Sequence, residues 1–216
     1  MHVPDGFVSL PVNLATFVAA GGACAYAVRR ARQELGERQV PLLGVTAAFI
    51  FAAQMLNFPI AGGTSGHFLG AVLAALLLGP WNACLIMAIV LVIQCLGFAD
   101  GGLTALGTNV FNMGVIGGIV PYFLLLRGAQ DQAIDHKKFY LARVAAASWL
   151  SVVLASTACS LELAISGTSP LGVVLPVMVG VHMLIGLGEA TITVAVVSAV
   201  LASRRDLLWQ LQEANK

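Results

Sequence analysis

The chain has 216 residues, 59% hydrophobic and 10% charged, with a formal net charge of +1 at pH 7. Soluble domains carry about 25% charged residues, so this balance excludes an ordinary globular protein and points to a multi-pass membrane protein. A net charge this close to zero leaves no field to draw nucleic acid, and the length suits one membrane domain, 1–216, with no GxxxxGK[ST] loop of an ATPase in it.

The chain opens on MHVPDGF, which has neither the basic n-region nor the apolar h-region of a secretory signal. Apolar stretches then alternate with short polar breaks. They predict spans near 11–28, 41–58, 67–80, 82–98, 108–126, 141–164 and 172–202. A spanning helix needs ~20 apolar residues. The third stretch is short and runs into the fourth across Gly79-Pro80, so these two read either as a hairpin or as short helices packed inside the bundle. The expected fold is all-α, a polytopic bundle of about seven transmembrane helices, with six as the alternative count. Cys24, Cys84, Cys95 and Cys159 lie in apolar stretches without a CxxC pair and read as small buried side chains.

Charge position sets the orientation. Arg29, Arg30, Arg32 and Arg38 fall between spans one and two. Arg127, Lys137, Lys138 and Arg143 flank the break between five and six, and Arg204 and Arg205 follow seven. The breaks at 59–66, 99–107 and 165–171 carry no Lys or Arg. With seven spans every basic cluster lies on one side, which the positive-inside rule makes cytoplasmic. The N-terminus is then outside and the C-terminus cytoplasmic, in the cell's inner membrane.

A histidine at position 2 can chelate. The α-amine of Met1, the deprotonated backbone nitrogen of His2 and the imidazole of His2 close two fused rings in nearly one plane. A fourth nitrogen would complete the square that Ni(II) and Cu(II) prefer. The amine has an ordinary pKa of about 7.7–8.0, so a metal can displace its proton near neutrality. The scheme needs a retained, unblocked Met1, which a bulky second residue favours. Of the other histidines, His136 lies in a basic loop. His67 ends AGGTSGH, where an outward break enters span three, and is the best fourth ligand by topology; it also reads as a plain helix-start residue. His182 lies inside span seven.

Other polar residues have a structural and a functional reading. Asp100 sits in a glycine-rich turn. Asp5 reads as a loop brace before a metal contact. Asn109 and Asn112 open span five, as helix caps or as braces of the N-terminal segment. His182, Gly186, Glu189 and Thr193 recur at helical spacing on one face, as an interhelical polar network or as a gate. Glu162 reads as a packing residue. Small residues recur every four positions at Ala19, Ala23 and Ala27, and at Ala71 and Ala75, where they let helices approach closely.

These stretches also resemble a known family. MHVPDGF, GGTSGHFLGAVLAALLLGPW at 62–81, DGGLTALGTNVFNMG at 100–114 and GVHMLIGLGEATIT at 180–193 are similar to the substrate-binding (S) component, of CbiM/NikM type, of energy-coupling-factor cobalt and nickel transporters. The resemblance covers nearly the whole chain. It implies a seven-helix protein whose N-terminal segment inserts into the bundle from outside, and Ni(II) or Co(II) as transported substrate. The implied ligands are Met1, His2 and His67; Asp5, Ser65, Asn109, Asn112, His182 and Glu189 are read, from their positions, as candidate supporting or gating residues. The implied partners are a transmembrane coupling subunit, two ATPase subunits that do the ATP hydrolysis, and in some assemblies a small accessory membrane subunit. An enzymatic alternative is a rhomboid-like intramembrane protease, with Ser65 of Gly63-Thr64-Ser65-Gly66 as nucleophile and His182 as base. A self-sufficient channel or carrier is a third reading.

Overall fold

The computed structural model describes residues 1–37 and 39–213. Arg38, counted above in the first basic cluster, lies outside the described residues. The order is α1 (Leu10–Glu34), α2 (Gln39–Gln54), a two-stranded hairpin of β1 (Phe58–Pro59) and β2 (Ser65–Gly66), α3 (Ala71–Leu78) and α4 (Pro80–Phe98). Then come α5 (Leu106–Leu126), α6 (Gln130–Asp135), α7 (Lys137–Ile165), α8 (Leu171–Ser203), a 3-10 turn at Arg205–Leu207 and α9 (Trp209–Glu213). Five helices, α1, α4, α5, α7 and α8, are long and apolar enough to cross a membrane. α2, with 16 residues, is shorter.

The expected third span is the exception. Only eight residues of it are helical, and all eight are buried. A helix of that length rises only ~12 Å. The chain covers the remaining depth as non-helical backbone over 65–70, reaching Glu189 in the middle of α8, where the amides of Leu69 and Gly70 are bound. Gly70 makes the switch to helix at φ +79°, which a side chain rarely adopts. Non-helical backbone at this depth is tolerated because it is enclosed by protein rather than lipid. α3 is apolar on every side, as a helix in the centre of a bundle must be.

The helices connect two unlike ends. At one end Gln39 bonds Gln212, Tyr140 bonds Gln210, and Arg143 donates to the carbonyl of Leu125. This end carries the basic residues. At the other end Thr104 donates to Asp5, Asn57 to Asp100, and Ser169 to the carbonyl of Gly62.

Polarity is inverted relative to a soluble protein. α8 buries Val174, Met178, His182, Gly186, Glu189 and Thr193, while Leu184 and Leu187 are exposed. The face expected from spacing alone is therefore the inward face, as polar groups at membrane depth require. Gly186 lets α7 approach, since a Cβ there would lie 2.8 Å from Trp149 Cδ1. α5 widens to π-type i→i+5 bonding over Phe111–Ile119, two residues beyond Asn109, a distortion that often marks functional positions. All four cysteines are free.

Candidate metal centre

Residues 1–9 fold back into the bundle before α1 begins. Met1 and Val3 are fully buried, and their side chains anchor the segment, at about 1.5–3 kcal/mol for each buried side chain. The backbone is fixed from the start of α5 and from two loops. Asn109 accepts from the Val3 amide at 2.8 Å and donates to the Val3 carbonyl at 3.2 Å, imitating a strand neighbour. Gly102 donates to the same carbonyl at 2.8 Å. A Cβ on Gly102 would lie 2.2 Å from the Asp5 nitrogen, so only glycine allows this approach. Asp5 accepts from both the amide and the hydroxyl of Thr104, at 2.7 and 2.6 Å. These bonds hold its carboxyl below the ordinary carboxylate range. Ser166 and Thr168 bind the amide of Ser9 and the carbonyl of Phe7.

This anchoring predicts the effect of Asn109→Ala. The variant loses both bonds to Val3 and should be destabilised by about 1–3 kcal/mol. Hydrogen exchange at the Val3 amide should rise while the amides of α7 stay protected.

The second half of the site comes from the β1–β2 hairpin, in which Pro59 pairs with Ser65 and Phe58 with Gly66. The pairing presents Ser65 to the N-terminus. The Met1 amine donates to the Ser65 carbonyl and, at 2.9 Å, to its hydroxyl; the His2 amide donates to the same hydroxyl at 3.1 Å. Burial lowers the amine pKa from 8.0 to about 5, with Cys159 and Asp100 opposing the shift. The amine is therefore neutral at pH 7. Two of its hydrogens are occupied by Ser65, and its lone pair is spare.

The rings of His2 and His67 stack with centroids 4.4 Å apart and planes 21° from parallel. Each has one nitrogen occupied and one bare. His2 Nε2 pairs with Gln94 Oε1 at 3.0 Å, and its Nδ1 has no hydrogen-bond partner. Asp100 Oδ1 lies 3.3 Å from that Nδ1, near but out of line for a bond. His67 Nδ1 donates to the Phe68 carbonyl at 2.7 Å, and its Nε2 is unpartnered. Burial, then the adjacent amine, lowers the His2 pKa from 6.5 to about 3, so this ring too is neutral. Both rings are nearly inaccessible, at 3% and 1% exposure. An orphaned nitrogen costs free energy in such a place unless something occupies it. Among the described residues no three His, Cys, Asp or Glu side chains converge as a metal cluster.

A cavity of about 650 Å³ leads from the end of the bundle to His2 and Ser65, with Asp5, Asn57 and Asp100 on its wall. The supporting residues divide. Asn109 and Asp5 brace the N-terminal segment. Asn112 instead donates to Glu162 at 2.5 Å and does not touch that segment. His182 donates from Nδ1 to the Met178 carbonyl and leaves Nε2 bare. No Ser65–His182 dyad forms: the Ser65 hydroxyl serves the two N-terminal nitrogens, and His182 Nε2 has no partner. Three further residues reach the site, Gln94, Gln54 and Asp100. The two glutamines are fully buried inside apolar helices, and that isolation was their signal in the sequence.

Residues 2–207 match the family described as the cobalt uptake substrate-specific transmembrane region, CbiM. The chain belongs to this family. It is 44% identical to a protein of Archaeoglobus fulgidus named "Putative fused nickel transport protein NikMN", covering all of this chain and 70% of that one. It is 34% identical to the cobalt transport protein CbiM of Sorangium cellulosum, covering 98% and 96% of the two chains. The fold matches the crystal structure of a truncated transition metal transporter at a TM-score of 0.85 and 31% identity, over 94% of this chain and 99% of that one. The membrane-spanning bundle is thus that of a CbiM-family transport protein.

Proposed function

We propose that this chain is the substrate-binding membrane subunit of a nickel or cobalt uptake system and holds the ion in a four-nitrogen site. The ligands are the amine of Met1, the deprotonated amide nitrogen and Nδ1 of His2, and Nε2 of His67. One observation carries the reading: the rings of His2 and His67 stack beside the buried N-terminus, and His2 Nδ1 and His67 Nε2 are both buried without a partner. The ring nitrogen of His2 left bare is Nδ1, the one that closes a six-membered ring with its own amide nitrogen. Planar nitrogen donation suits Ni(II), and imidazole also serves Co(II). The ion is cargo, and the chain performs no bond chemistry on it.

Ser65, which bonds both the amine and the amide, gives up these contacts when the ion enters. Asp100 offsets the ion's charge from beside the His2 ring. His182, with a bare nitrogen on the inner face of α8, gates the release path. The N-terminal end of the bundle faces outward and the basic end faces the cytoplasm of an inner-membrane protein. Release is driven by a transmembrane coupling subunit with two ATPase subunits, with or without a small accessory subunit, and the whole chain acts as one membrane domain.

The test is metal counting on the purified protein after incubation with Ni(II) or Co(II). About one ion per chain is expected. His67→Ala should weaken retention by more than the ~10–100-fold typical of losing an outer partner. Equal retention by His67→Ala would contradict the ligand set.

A further inference from the structure

A chain of hydrogen bonds runs from the middle of α8 to the His2 ring. Glu189 Oε1 accepts from the Gly70 amide at 2.7 Å. The carbonyl of the same peptide unit, that of Leu69, accepts from Gln54 Nε2 at 2.8 Å. Gln54 Oε1 accepts from Gln94 Nε2 at 3.1 Å, and Gln94 Oε1 meets His2 Nε2 at 3.0 Å. Gln54, Gln94 and Glu189 are essentially inaccessible, so no water can substitute for a link.

The direction of this chain is forced. A carbonyl can only accept, so Gln54 must turn its NH2 to Leu69 and its oxygen to Gln94. Gln94 must then donate to Gln54 and present its own oxygen to His2. That oxygen can only accept, so His2 must carry its proton on Nε2. Nδ1 is left bare. Neither amide can flip without setting two acceptors or two donors face to face, which costs about 1–3 kcal/mol for each buried group left unsatisfied.

We propose that Gln54 and Gln94 are positioning residues that dictate the His2 tautomer, relaying the polarity of the Glu189-bound peptide unit so that Nδ1 is always the free donor. The proposal rests on the chelate described above. A neutral imidazole in water exchanges its proton between both nitrogens, and only the Nε2–H form can close the six-membered ring without first moving a proton. The relay also polarises the ring. Each bond donated toward the Glu189 carboxylate makes the next oxygen a better acceptor, and the last one raises the donor strength of Nδ1. A cation on Nδ1 in turn strengthens the Nε2–H bond to Gln94. The same carboxylate holds Leu69 through Oε2 at 2.7 Å, two residues after His67, so one group on α8 fixes both ligand segments.

The test reads the tautomer directly. Nitrogen-15 spectra of the metal-free full chain, labelled at histidine, distinguish protonated from bare ring nitrogens, and His2→Ala assigns the His2 signals. Wild type should show His2 protonated at Nε2 only. Gln94→Leu should shift the proton to Nδ1 or to a mixture, and weaken Ni(II) binding about 10–100-fold. Gln94→Glu, which still accepts from Nε2 but sets its second oxygen against Gln54 Oε1, should restore the tautomer while remaining less stable than wild type; loss of packing alone would show no such rescue of the tautomer. A proton on Nδ1 in wild type would overturn the relay whether or not a variant folds. So would an unchanged tautomer and Ni(II) affinity in Gln94→Leu. If wild type binds no Ni(II) but His2 is held as Nε2–H, the chelate fails and the relay stands.

Discussion

Blocking the Met1 amine is expected to abolish Ni(II) and Co(II) binding, more completely than any single side-chain change. An N-terminal Gly-Ser-Gly extension turns the amine into an amide and removes one donor. It also has no room to follow, because Met1 is fully buried with its nitrogen against Ser65. The extended chain must pull Met1 and His2 out of the bundle, so three of the four nitrogens are lost together. Retention should fall by well over 100-fold, beyond the range of an outer-partner loss. Three added residues are needed, because one alone would make histidine the third residue. Two amides, the new amine and the imidazole would then form a fresh planar four-nitrogen chelate that Ni(II) favours. Metal counting after desalting checks the outcome, with thermal unfolding to show that the rest of the bundle is intact.

Glu189→Ala is expected to give the largest loss of stability among the polar residues of the core. Glu189 is 1% exposed and accepts from two backbone amides, those of Leu69 and Gly70. Removing the carboxylate leaves two buried donors without partners, at about 1–3 kcal/mol each. These donors lie just before α3 begins, where the backbone is not helical, so no helical bond can replace the lost ones. The expected cost is about 2–6 kcal/mol, with a lower unfolding temperature in detergent and weaker Ni(II) binding through the loosened His67 segment. Glu189→Gln keeps one acceptor and should lose roughly half as much. An unfolding temperature equal to wild type in Glu189→Ala would mean that the 65–70 segment is held by its apolar neighbours instead.

Helices were legible wherever lipid must be faced. The apolar length of α1, α4, α5, α7 and α8 carries their assignment, and the inner face of α8 follows from the spacing of His182, Gly186 and Glu189. The 67–80 stretch was not legible as non-helical backbone followed by a short helix. Composition cannot distinguish a strand from a helix when both lie in an apolar core, and what decides here is a carboxylate 120 residues away in sequence from Leu69. The proposed set of Met1, His2 and His67 rests on chemistry that is local in the sequence: an amine, an amide and a ring on adjacent residues, with one further imidazole. Asn112 looked equivalent to Asn109, yet three residues of helix turn it toward Glu162. Gln94 and Gln54 needed the structure, since their role depends on which carbonyl ends the chain of bonds.

The most direct measurement is X-ray absorption at the nickel edge of the Ni(II)-loaded protein. Four nitrogen neighbours in a square plane, with one imidazole signature from His2 and one from His67, are the expected result. A six-coordinate, oxygen-rich shell, or a sulfur neighbour from a methionine or cysteine, would contradict the N-terminal chelate.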